Sequence, residues 1–197
     1  MIESSLIWSF EYLVGQWRPT IGDPTIMGWF TVASYFLCAL MALSLAYRDR
    51  SDDRKSFSFW LVIGMIMILL GINKQLDLQS LLTEIGRQIA RAQGWMDQRR
   101  VVQLVFIVIF TSASMTAFVW LTAKFRDVLK RFLLAFSGLF FLLSFIIIRA
   151  ASFHHVEEML DFRLVGVRMN WIFELTGIYL ILAAGFKETI LATMRKD

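Results

Sequence analysis

Cysteine, histidine and charge are all scarce in this chain of 197 residues, and each shortage excludes something. The single cysteine, Cys38, lies within an apolar run, so no internal disulfide can form and no thiolate cluster can hold a metal. The two histidines, His154 and His155, are neighbours, and the chain has no H-E-x-x-H pair and no three-histidine set. Adjacent imidazoles do not readily reach both faces of one porphyrin, whose axial ligands normally come from different helices, so haem is not expected. No G-x-S-x-G elbow, Walker-type loop or dinucleotide fingerprint occurs, which leaves hydrolase-elbow and nucleotide chemistry without local support. Charged residues make up 18% of the chain, against about 25% in an ordinary soluble domain. There is no internal repeat, no low-complexity tract and no stretch that reads as a soluble domain.

What is present is apolar sequence, 57% of the residues, gathered into five charge-poor blocks. Pro24 to Tyr47, Ser56 to Asn73, Val101 to Ala123 and Phe132 to Ile148 carry no charge, and Met169 to Phe186 carries only Glu174. A helix needs about 20 mainly apolar residues to cross roughly 30 Å of hydrocarbon, so each block is long enough to span, the shorter ones with local thinning. In lipid every backbone N–H and C=O must be paired, which leaves helices or closed barrels. Continuous apolar runs exclude a barrel, whose strands would alternate. The expected fold is therefore all-α: a polytopic helical membrane protein, one membrane domain over residues 1–197, with spans at about 25–47, 56–73, 101–123, 132–149 and 170–186.

Two further segments read as helices lying in the membrane interface. Over about 4–18, Leu6, Phe10, Leu13, Val14 and Trp17 follow helical spacing, and the start lacks a basic region and a small-residue cleavage site, so no removable signal peptide is expected there. Over about 77–96, Leu78, Leu81, Leu82, Ile85, Ile89 and Met96 keep a period near 3.6, opposite Glu84, Arg87, Gln88 and Arg91. Trp29, Trp60, Trp120 and Trp171 fall near block ends, as an interfacial aromatic belt requires. Ser34, Cys38, Ala42 and Ala46 in the first span, and Ser112 with Thr116 and Ala113 with Ala117 in the third, let helices approach closely, and packing within the chain is the favoured use of both stripes.

Five spans put the amino terminus and the two longer connections on one side, and the two tight connections and the carboxyl tail on the other. Eleven of the twenty Lys and Arg residues crowd into those tight segments, which favours a cytoplasmic carboxyl terminus and an outer amino terminus in a plasma membrane, the inner one if the cell is bacterial. The net charge of +4 is then a topology signal, and no nucleic-acid partner is expected.

The same parity gathers the unusual polar residues on the outer side. Asn73 and Asp77 leave the second span, Arg149, His154, His155 and Glu158 leave the fourth, and Asn170 and Glu174 enter the fifth. His154, His155 and Glu158 share neighbouring positions on a helix, and imidazole with carboxylate suits zinc or another divalent ion. The more common use of such residues is structural hydrogen bonding or solvation. Glu174 would be the costliest to bury; it either pairs with Asn170 or Arg149, or serves as an acid or ion ligand in a polar pocket. The leading reading is a non-catalytic subunit or scaffold, with the lipid bilayer and a membrane-protein partner. The alternatives are a metal-assisted hydrolase or transferase acting on a lipid-linked substrate, and a transporter component.

Overall fold

The computed structural model describes residues 23–76, 99–151, 163–164 and 167–194. These form five helices: α1 (Ile26–Asp49), α2 (Arg54–Leu76), α3 (Arg99–Lys124), α4 (Leu133–Ala151) and α5 (Met169–Met194). Just before α5, β1 (Arg163–Leu164) pairs antiparallel with β2 (Val167–Arg168). Each helix overlies one expected span, and α5 continues beyond the expected end at residue 186. Four of the five are long and apolar enough to cross a membrane, and α4, at 19 residues, lies at the short end of the spanning range. Both expected interfacial segments lie outside the described residues.

Local chemistry explains where the first two helices begin. Thr25 caps α1, its hydroxyl accepting from the Gly28 amide at 3.0 Å while donating to Asp23 Oδ1 at 2.6 Å. At the start of α2 the Asp53 carboxylate accepts from the Ser56 amide at 3.0 Å, the same device. The connection between α1 and α2 is so short that the two helices must pack as antiparallel neighbours. Between α3 and α4 a ladder of tight turns over 125–132 reverses the chain just as sharply.

α1 packs chiefly on α2, α4 on α5, and α5 returns to α1. The expected small-residue stripe of α1 is used here: Ser34, Cys38, Ala42 and Ala46 are all buried. Between α4 and α5 the backbones meet at two glycines. A Cβ on Gly138 would lie 2.8 Å from the Gly177 carbonyl oxygen and 2.9 Å from Leu180 Cβ, closer than real atoms approach. Beside the turns that precede α2 and α4, Phe59 stacks on Phe132, with centroids 4.6 Å apart, and meets the edges of Trp60 and Phe125.

Two expectations from the sequence change. Trp60 is not part of an exposed interfacial belt, being fully buried among Phe59 and Phe132, and Trp171 is buried as well, whereas Trp29 and Trp120 are exposed near helix ends as a belt requires. The small-residue stripe of α3 is not used within the described chain either, since Ser112, Ala113, Thr116 and Ala117 are exposed. Only 6% of the most apolar window of α3 is buried, against 44% in α1 and 39% in α2 and in α5.

Candidate functional site

The antiparallel order brings the start of α1, the end of α2 and the start of α5 to one end of the bundle. Side chains on a helix tilt toward its amino terminus, so Tyr35 leans toward this end while Lys74, in the last turn of α2, leans back into the bundle. Glu174, in the second turn of α5, meets both. Lys74 Nζ donates to Glu174 Oε2 at 2.7 Å, and the Tyr35 hydroxyl donates to Glu174 Oε1 at 3.1 Å. All three residues are buried: Glu174 is 4% exposed, Lys74 9% and Tyr35 1%.

An isolated charge at such a position would be costly in lipid, and a pair is tolerated when geometry and hydrogen bonding are complete. Here each carboxylate oxygen has its own donor. The lysine also sits where the unpaired carbonyls of a helix end favour a cation. Just above, Asp23 closes the site: its Oδ2 accepts from Trp171 Nε1 at 3.1 Å, and its Oδ1 accepts from the Thr25 hydroxyl and amide. Burial pushes the Asp23 carboxyl up, but donation from Thr25 and Trp171 and the nearby Lys74 ammonium outweigh it and hold the group below its ordinary value. The Gln75 amide beside Lys74 is buried, and neither of its polar atoms has a hydrogen-bond partner among the described residues.

Of the residues singled out in sequence, Glu174 occupies this site, and among the described residues its carboxylate partners are Lys74 and Tyr35. Asn73 lies on the same turn of α2 as Lys74 but is exposed. Arg149 belongs to the end of α4 and Asn170 to the start of α5, with side chains outside the described set. Asp77, His154, His155 and Glu158 lie outside the described residues. Among the described residues no group of three or more His, Cys, Asp or Glu side chains is placed to hold a metal ion.

The sequence does not single out Tyr35 or Asp23, and Lys74 stands in it as one of the polar residues that leave the second span with Asn73 and Asp77. A signal for Lys74 and Asp23 existed in depth: each lies at the end of its segment that parity assigns to the side of Glu174.

The opposite end of the bundle carries a second polar network. Arg131 bridges two segments, donating from Nη1 to Asp53 at 2.8 Å and from Nη2 and Nε to Glu188 Oε2 at 2.6 and 2.9 Å. Arg48 pairs with Asp49 at 2.7 Å, the Ser56 hydroxyl donates to the same carboxylate, and Lys55 pairs with Asp127. Donation to Glu188 is the main reason that Arg131 is held above the ordinary guanidinium value, against the effect of its partial burial.

A bundle of four to five helices long and apolar enough to span, sealed at each end by internal ion pairs, defines the chain as an all-α protein of membrane-spanning character. No family model, curated protein or solved structure matches it.

Proposed function

We propose that this chain is a non-catalytic subunit or scaffold of a membrane assembly, and that α3 is the helix it offers to a partner membrane protein. The observation that carries this reading is the contrast between α3 and the rest of the bundle: its Ser112, Ala113, Thr116 and Ala117 stripe is exposed, while the equivalent stripe of α1 is packed. Lipid tails are as apolar as the helices, so association in a bilayer depends on close approach, which such a stripe permits. The Lys74, Glu174 and Tyr35 cluster fits the same reading, because its groups satisfy one another and so hold α1, α2 and α5 together.

The chain extracted from its own membranes in mild detergent should show by light scattering a protein mass above the 22.8 kDa of one copy. Ser112→Leu with Thr116→Leu should return it to that mass without unfolding it. A wild-type chain that is already monomeric, or an assembly indifferent to both substitutions, would overturn the proposal. Stoichiometric metal in the purified chain, lost in His154→Ala or His155→Ala, would instead support the metal-assisted hydrolase or transferase.

The proposed setting is a plasma membrane, with the amino-terminal side outward and the carboxyl terminus in the cytoplasm, supported by the density of Lys and Arg in the tight connections. Single cysteines placed at positions 52 and 90 in a Cys38→Ala background should react with an impermeant thiol reagent from opposite sides of sealed vesicles. Reaction from the same side would exclude five spans.

A further inference from the structure

The end of the bundle that carries Arg131 has a charge pattern which span counting alone does not explain. Its carboxylates are buried or paired: Asp49 is 8% exposed and Glu188 3%, the half-buried Asp53 is taken by Arg131, and the exposed Asp127 by Lys55. Its remaining cations are turned outward. Arg50, Arg54, Lys124, Arg126, Lys130 and Lys187 are all exposed, Arg126 lying 3.8 Å from the Asp127 carboxylate that Lys55 already pairs, and among the described residues one exposed carboxylate without a cation of its own, Asp52, stands against them.

These cations come from three separate segments, yet they belong to one face. The Lys55 to Asp127 pair and the Arg131 to Asp53 pair tie the α1–α2 turn to the α3–α4 turns, and Arg131 with Glu188 adds α5. The pairs therefore do two things: they assemble the face, and they occupy the anions that would otherwise neutralise it. Lys124 supplies a second, independent observation. Its ammonium sits 4.7 Å from the centre of the Trp120 ring, itself 58% exposed, and 5.7 Å from that of Phe125. An indole at a span end marks the headgroup level, and a cation held over it lies where lipid phosphates are.

We propose that this face binds the phosphate headgroups of anionic phospholipids, with Arg54, Lys124 and Arg126 as its principal contacts. Arginine provides forked donors that match phosphate oxygens, and lysine a mobile point charge. The proposal rests on the spanning helices and is independent of whether α3 has a protein partner.

Native mass spectrometry of the full chain, titrated with phosphatidylglycerol or with phosphatidylcholine of the same acyl chains, tests it. The wild type should retain phosphatidylglycerol preferentially, and Arg126→Gln should weaken that preference by up to about fivefold, the typical contribution of one cation at a charged bilayer surface. Arg54→Gln, Lys124→Gln and Arg126→Gln together should abolish the preference, while Arg126→Lys should keep most of it. Arg99→Gln with Arg100→Gln, at the other end of α3, should leave it intact. Equal retention of the two lipids, or a preference that survives in the triple variant or is lost equally in the Arg99 and Arg100 pair, would overturn the assignment. Displacement of bound lipid by millimolar inorganic phosphate would show a site for free phosphate and overturn the lipid assignment as well.

Discussion

Lys74→Met should destabilise the bundle by about 3–5 kcal/mol, the usual effect of removing one partner from a buried ion pair. The substitution leaves the Glu174 carboxylate 4% exposed, with only the Tyr35 hydroxyl donating to it. Glu174→Met should act in the same direction by stranding the Lys74 ammonium. The informative variant is the double one. Replacing both residues by methionine removes two desolvation penalties along with one attraction, so most of the lost stability should return. Unfolding free energies of the four proteins in detergent micelles or bicelles provide the measurement. If either single variant lies within about 0.5 kcal/mol of wild type, or the double variant is as unstable as the sum of the singles, the pair does not hold the helices as described.

Gly138→Ala should destabilise by about 1–3 kcal/mol, more than Gly177→Ala, although the two glycines face one another. The reason is what each new methyl group would meet. At Gly138 it meets a backbone oxygen, that of Gly177, and the first side-chain carbon of Leu180, neither of which can move without shifting α5. At Gly177 the nearest atoms belong to the Leu142 side chain, 2.5 and 2.9 Å away, which can change rotamer, and the Gly138 carbonyl is farther off at 3.1 Å. Val at 138 should be worse than Ala. An order in which Gly177→Ala is the more damaging, or a neutral Gly138→Ala, would mean that the helices are not in backbone contact there.

The candidate site was only partly legible before its geometry was seen, for a reason peculiar to membrane chains. Glu174 stood out because a carboxylate within an apolar run is conspicuous, and parity put it on the same side as the end of α2. Its partner did not stand out. Lys74 looks like one of many cations that end a span, and nothing in the run from Ile26 to Asp49 distinguishes Tyr35 from its apolar neighbours. The two glycines at 138 and 177 are likewise unremarkable until the α4 and α5 backbones are placed together. Trp60 shows the converse, since its position near a span end fits the interface equally well and only packing against Phe59 and Phe132 places it inside.

Depth along the membrane normal is what the sequence by itself determined. The length of each apolar block, counted from its flanking charges, sets where along the chain a helix long enough to span must lie, because hydrocarbon thickness and helical rise are constants. Rotation about each helix and the choice of neighbours were decided only by tertiary structure. In water, an apolar stripe on a polar helix reveals the buried face; in lipid, both faces are apolar and that contrast vanishes. The meeting of Lys74, Tyr35 and Glu174, the contact of Gly138 with Gly177, the burial of Trp60 and the exposure of α3 all depend on that rotation, which hydrophobicity in a bilayer leaves undetermined.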